Sequence, residues 1–123
     1  MDYKFNRSWA EVSLDNIAHN VREIRRITEK KTEIMGVVKA DAYGHGVMET
    51  VKTLLDNGVT RLAVSMLDEA IQLRKNGITV PILILSYTDP ARADEIVQYD
   101  VTQTVFSHDL AEALSQAGVK SHK

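Results

Sequence analysis

Strand-like segments begin near residues 34, 61, 81 and 102, each followed by a polar loop and a helical pattern. No other feature restricts the fold as strongly. Strand, loop, helix, strand is the repeat of parallel βα units, whose crossovers are nearly always right-handed. Residues 34–38 and 80–85 are continuous apolar runs, as strands buried on both faces should be, and Pro81 sits where a strand tolerates it. Residues 61–65 are the strand between them. Val47, Val51, Leu54 and Leu55 recur at helical spacing, as do Leu67, Ala70, Ile71 and Arg74. Both helices run into Asn-Gly, at Asn57-Gly58 and Asn76-Gly77, where glycine best accepts the left-handed residue beyond a last turn. Asp89-Pro90 reads as a cap and first helical residue ahead of Ile96 and Val97. Residues 102–106 are a fourth strand. Ser107 or Asp109 then caps a last helix, with Leu110, Ala113 and Leu114 inward and Gly118 at its end.

Upstream, residues 9–14 alternate loosely, Val12 and Leu14 against Glu11 and Ser13, which reads as a strand with one wet face. Asp15 caps a helix whose Ile17, Val21, Ile24 and Ile27 form one buried stripe. Four parallel strands leave two open edges, whereas parallel sheets are normally covered or closed. A (β/α)8 barrel takes eight such units and typically roughly 250 residues. The 123-residue chain is therefore expected to be an α/β body, either a small doubly wound domain or about the first half of a TIM barrel. Its shape leans toward the second.

Composition closes off several functions. With 44% hydrophobic and 26% charged residues, 2 Pro and no Cys, disorder, a collagen-like repeat and a disulfide scaffold are excluded, as are thiolate metal sites and a cysteine nucleophile. A net charge of −2 and a pI of about 6.1 leave no basic field for nucleic acid or an anionic membrane. The N-terminus has no apolar segment behind its charges, and the run 80–85 is far below the roughly 20 residues that cross a bilayer. A cytoplasmic protein with no nucleic-acid and no membrane partner is expected.

The chemistry-bearing segment is Val37-Val38-Lys39-Ala40-Asp41-Ala42-Tyr43-Gly44-His45-Gly46. Lys39 falls at the C-terminal end of the first buried strand, the edge where α/β enzymes place their sites. Strand parity aims Met35, Val37 and Lys39 the same way. Desolvation beside two apolar side chains favours a neutral amine, the nucleophile that forms a Schiff base with an aldehyde or ketone. On position alone, a lysine at a strand end is ordinarily a solvated charge with a snorkelling stem. Tyr43, four residues on, can offer a phenolic OH to an anion at the same edge. Gly44 and Gly46 free the backbone before a helix N-terminus, where amides and the dipole favour a phosphate. The loop has no G-x-x-x-x-G-K-[ST] pattern, so it is not a P-loop.

Lys39-Ala40-Asp41-Ala42-Tyr43-Gly44-His45-Gly46 after an apolar strand resembles the pyridoxal-phosphate attachment signature of alanine racemases. Trp9-Ala10-Glu11-Val12-Ser13-Leu14-Asp15 with His19-Asn20, Arg61-Leu62-Ala63-Val64 leading to Asp68-Glu69-Ala70, and Pro81-Ile82-Leu83-Ile84-Leu85 also resemble that family's N-terminal region. The resemblance implies a partial (β/α)8 barrel over residues 15–123, preceded by a strand segment, 1–14, that would belong to a separate C-terminal β-domain. Lys39 would hold pyridoxal 5'-phosphate through a Schiff base, then remove or return the α-proton on one face. Tyr43 would hydrogen-bond the cofactor phosphate, and Val37 and Leu85 would line the pocket beside the ring. The activity implied is interconversion of L- and D-alanine in a homodimer, with a second base, a tyrosine, from the partner subunit. That tyrosine, the arginine facing the pyridine nitrogen and most phosphate ligands lie further along the family's chains. An incomplete and inactive portion of the enzyme is expected.

Other readings stay open. The same barrel and lysine would serve another amino-acid racemase or a decarboxylase, or a non-catalytic pyridoxal-phosphate-binding homeostasis protein. The strand expected over 9–14 argues against the last. A fragment that retains no cofactor is a further alternative. Elsewhere, His45 reads as a cap for the following helix, and His19, His108 and His122 have no second ligand at metal spacing, so no metal site is expected. Asp68 and Glu69 open a helix, where acidic residues suit the dipole better than they suit acid–base work. Arg22, Arg25, Arg26, Lys30 and Lys31 are interleaved with Glu23, Glu29 and Glu33, as on a solvated helix face. Ser65 and Ser86 follow strands without the partners of a hydrolase.

Overall fold

In a computed structural model, described over residues 7–123, the chain forms β1 (Met35–Val37), β2 (Arg61–Val64), β3 (Ile82–Ile84) and β4 (Thr102–Gln103). They pair in parallel in the order β1-β2-β3-β4, so each strand lies beside the next one in sequence, as successive βα units dictate. The strands are shorter than the segments that announced them. Only residues with a hydrogen-bonding partner on a neighbouring strand join the ladder, and Val105 and Phe106 lie beyond it, exposed.

Registered residues share a face. Gly36 pairs with Leu62 and Leu62 with Ile82, and this face, continued by Val38, Val64 and Ile84, is buried in the core with Val51, Leu67, Ala70, Leu73 and Ile96. Gly36 has a packing reason to lack a side chain: a Cβ there would lie 2.9 Å from Leu54 Cδ1 and 3.3 Å from Val59 Cγ1. The opposite face is only partly covered. Ala63 is buried on it, but Met35 is 41%, Val37 42% and Leu85 39% exposed, so burial on both faces, expected from the continuous apolar runs, is incomplete on this one. In a closed barrel this face is the inner one.

The covering helices are α1 (Leu14–Ile27), α3 (Val47–Asp56), α4 (Leu67–Lys75), α5 (Ala93–Gln98) and α6 (His108–Ser121). A 3-10 turn, Pro90–Arg92, leads into α5, with Asp89 Oδ1 accepting from Ala91 N at 2.9 Å. α3 and α4 stop at the expected Asn57-Gly58 and Asn76-Gly77, the glycines at φ 109° and 83°. Three expectations are corrected. The cap of α1 is Ser13, whose Oγ accepts from Asn16 N at 3.2 Å, and Asp15 lies in the first turn, where it meets the dipole. On α1 only Ala18 and Val21 are buried, while Ile24 and Ile27 are exposed. α1 packs against α3, and only the first part of the expected stripe is covered. α6 runs through Gly118 to a left-handed His122, since one glycine weakens a helix by only roughly 1 kcal/mol.

Residues 9–13, where a strand is expected, join no strand of the sheet, and Leu14 already belongs to α1. A strand is stable only where another backbone takes its N–H and C=O groups, and β1 offers its free edge to none of residues 8–13. Residues 1–6 of the segment lie outside the described residues. No helix among the described residues is long and apolar enough to cross a membrane.

Candidate functional site

Beyond β1 the chain does not enter a loop. It makes one left-handed helical turn, α2 (Lys39–Tyr43), with Ala40, Asp41, Ala42 and Tyr43 at φ 52°, 55°, 53° and 58°. L-residues resist this hand at roughly 1–2 kcal/mol each, so the surroundings must over-determine the turn. Its own ladder runs from Ala42 N to Val38 O at 3.0 Å, Gly44 N to Ala40 O at 3.1 Å and Gly46 N to Asp41 O at 3.1 Å. Gly44, at φ 83°, carries the same hand onward without a Cβ to clash. Three side-chain bonds lock the rest. Glu69 Oε1 accepts from Ala40 N at 2.6 Å, Asp41 Oδ1 from Val47 N at 2.8 Å, and His45 Nδ1 donates to Ala42 O at 2.9 Å.

A helical turn of either hand brings residues four apart to one side, and Lys39 and Tyr43 are four apart. Lys39 Nζ lies 6.0 Å from the centroid of the Tyr43 ring, at the outer reach of a cation–π contact. Val37 ends β1 and Leu85 follows β3; both are exposed on the partly covered face. All four candidate residues thus lie toward the C-terminal edge of the sheet, Leu85 at the end of β3, which β2 separates from β1. The phenol and the apolar wall are open to whatever packs there.

Several details depart from expectation. Met35 and Val37 cannot enclose the lysine as expected, because both are themselves about 40% exposed. The Gly44-His45-Gly46 stretch is not a cradle for phosphate. The amides of Gly44, His45, Gly46 and Val47 all donate within the chain, and the Asp41 carboxylate occupies the N-terminus of α3. His45 does not cap α3; it fastens the left-handed turn, and Asp41 does the capping. Neither Asp41 nor Glu69 was singled out as a holder of the site. The available signal for Glu69 was an acidic residue at the third position of a helix, where side chains reach back to free amides.

Other candidates resolve into structure. Ser65 and Ser86 face one another, Oγ to Oγ at 3.0 Å. In the basic stretch of α1, Arg26 pairs with Glu23 at 2.9 Å and Arg22 donates to Asn57 Oδ1 at 2.9 Å. Among the described residues no group of three His, Asp or Glu side chains could hold a metal ion.

A family model described as alanine racemase, N-terminal domain, matches residues 12–123. The chain is 56% identical over 109 residues to alanine racemase 1 of Clostridium acetobutylicum, covering 89% of this chain and 28% of that protein. Among solved structures, the alanine racemase of Clostridium difficile 630 superposes with a TM-score of 0.90 at 38% identity, over 98% of this chain and 31% of that one. A histidine racemase from Leuconostoc mesenteroides superposes at 0.81 with 32% identity, over 89% and 29%. The chain spans about 30% of the length of the curated relatives it matches.

Proposed function

The chain belongs to the alanine racemase N-terminal domain family, and on that premise we propose that it is the cofactor-bearing part of a pyridoxal-phosphate-dependent racemase acting on alanine. The observation that carries this reading is the amine of Lys39 at the C-terminal strand edge, held on a left-handed turn that keeps it within 6.0 Å of the Tyr43 ring. Residues 15–123 are read as the first part of the barrel, and 1–14 as a segment outside it.

The residues present fit pyridoxal 5'-phosphate in chemistry. Lys39 offers an amine to the aldehyde, Tyr43 an exposed phenolic donor to the phosphate, and Val37 and Leu85 an open apolar wall to a flat ring. The amides of the Gly44–Gly46 stretch are already engaged, so the remaining phosphate donors come from outside this turn. Bound there, the cofactor supplies an electron sink that makes the α-C–H of an amino acid acidic. Lys39 Nζ would hold the group and, once the incoming amino group has taken its place on the aldehyde carbon, the freed amine would move the α-proton on one face, while Val37 and Leu85 would exclude water from one side of the ring. Inverting the α-carbon takes a second proton-moving group on the opposite face. Lys39 serves one face only, so that group comes from elsewhere, and a homodimer whose partner supplies it accommodates the reaction.

The likeness to a histidine racemase favours a second reading, in which the same attachment part serves another amino acid. Titration with pyridoxal phosphate tests the shared core. A visible absorbance band with the wild type and none with Lys39→Ala is expected; the same band in both overturns the assignment of Lys39.

A further inference from the structure

The carboxylate of Glu69 is used up by backbone in an unusual way. Oε1 accepts from Ala40 N at 2.6 Å, and Oε2 accepts from Ser65 N at 2.7 Å and from Met66 N at 2.9 Å. Ser65 and Met66 leave β2 and enter α4, whereas Ala40 directly follows Lys39. One half-buried side chain therefore ties together the C-terminal ends of two neighbouring strands. Three amide donors on two oxygens leave it poorly placed to shuttle a proton, so acid–base work is not its role.

The bond to Ala40 has a specific consequence. The first bond inside the left-handed turn starts at Ala42 N, so the amide of Ala40 has no acceptor within the turn, as at the start of any helix. Ala40 is also the first residue at positive φ, at 52°. Its hand is set at the point where the stem of Lys39 leaves the backbone. We propose that Glu69 is a positioning residue for Lys39: by taking the Ala40 amide it fixes the start of the left-handed turn, and with it the aim of the amine and of Tyr43. This rests on the reading of Lys39 as the attachment residue. Glutamine is nearly the same shape but presents one oxygen and one NH2 group, so it can accept on one side only and sets N–H against N–H on the other. Aspartate is one methylene shorter than the span.

The test uses the complete racemase polypeptide, titrated with pyridoxal phosphate, together with the hydrogen-exchange rate of the Ala40 amide. Glu69→Gln is expected to weaken cofactor attachment at least about tenfold and to speed exchange at Ala40 by a similar factor, the loss of a charge-assisted bond. Ala40→Gly removes the cost of the left-handed hand, so Glu69→Gln with Ala40→Gly is expected to recover most of the lost affinity. A bond that merely steadies the 65–66 loop would not be rescued at Ala40. Unchanged affinity in Glu69→Gln, no recovery in the double variant, or an unprotected Ala40 amide in the wild type overturns the proposal. If Glu69→Gln does not fold, the double variant and the wild-type exchange rate decide. If the wild type itself attaches cofactor no better than Lys39→Ala, the assignment of Lys39 fails, and the role of Glu69 falls with it.

Discussion

Asp41 carries two loads that substitution can separate. Its Oδ1 accepts from Val47 N at 2.8 Å, supplying α3 with a cap that Gly46 at the N-cap position cannot, and its backbone sits at φ 55°. Loss of a cap costs about 1 kcal/mol. Placing alanine in the left-handed region costs about 1–2 kcal/mol, whereas Asp and Asn tolerate it better because their short polar side chains bond locally. Asp41→Ala should therefore lose about 2 kcal/mol. Asp41→Asn keeps an acceptor and the tolerance, and gives up only the charge near the helix N-terminus, about 0.5 kcal/mol. Asp41→Gly loses the cap but relaxes the backbone, so the two effects nearly cancel, within about 0.5 kcal/mol. Urea unfolding followed by far-UV circular dichroism ranks the three, provided the denaturant slope is unchanged. The predicted order of damage is Ala first, then Asn and Gly together near the wild type. Asp41→Gly as harmful as Asp41→Ala would refute the strain argument, and Asp41→Asn as harmful would refute the cap.

Other perturbations follow from bonds elsewhere in the fold. Arg74 donates to the carbonyls of Tyr99, Ile78, Val80 and Asp100, all at 2.8–2.9 Å; burial draws the guanidinium below its ordinary value, opposed by Asp100, yet it stays charged. Arg74→Met should cost about 2–4 kcal/mol in urea midpoint terms and Arg74→Lys less, because an ammonium cannot reach all four. Arg92 donates to Glu95 at 2.7 Å and to Asp68 at 2.8 Å, and its hydrogen bond holds the Glu95 carboxyl below the usual carboxylate range. That contribution is present above the unfolded glutamate value and fades as pH falls through the lower folded one. The melting-temperature gap between wild type and Glu95→Gln should therefore close on acidification, and a gap that widens would contradict it. The Thr50 hydroxyl is buried without a hydrogen-bond partner, so Thr50→Val should leave stability equal or raise it by up to about 1 kcal/mol.

The periodic parts of the chain were legible because their signals are local. Apolar runs marked β1, β2 and β3, Asn-Gly ended α3 and α4, and the position of Lys39 at a strand end was readable from the run before it. What was misread depended on partners the pattern does not carry. Residues 9–14 alternate like a strand, but the partner expected for it is a separate β-domain, and residues 9–13 join no strand of the sheet described. The stripe on α1 is covered at Ala18 and Val21 but not at Ile24 and Ile27, because what packs on a helix is decided by other elements and not by its own spacing. The left-handed turn is not legible because Ala40, Asp41 and Ala42 are ordinary helix or loop residues, and one of the bonds that hold the hand comes from Glu69, twenty-nine positions on. Glycines before a helix suggested a phosphate cradle, but their amides turned out to be engaged within the turn.

The central claim is that Lys39 is the residue to which the cofactor attaches. The most direct test is to load the complete polypeptide with pyridoxal phosphate, reduce with borohydride and map the tag by peptide mass spectrometry. The account predicts one stoichiometric tag on Lys39, absent from Lys39→Ala. A tag on another lysine with Lys39 unmodified would contradict it.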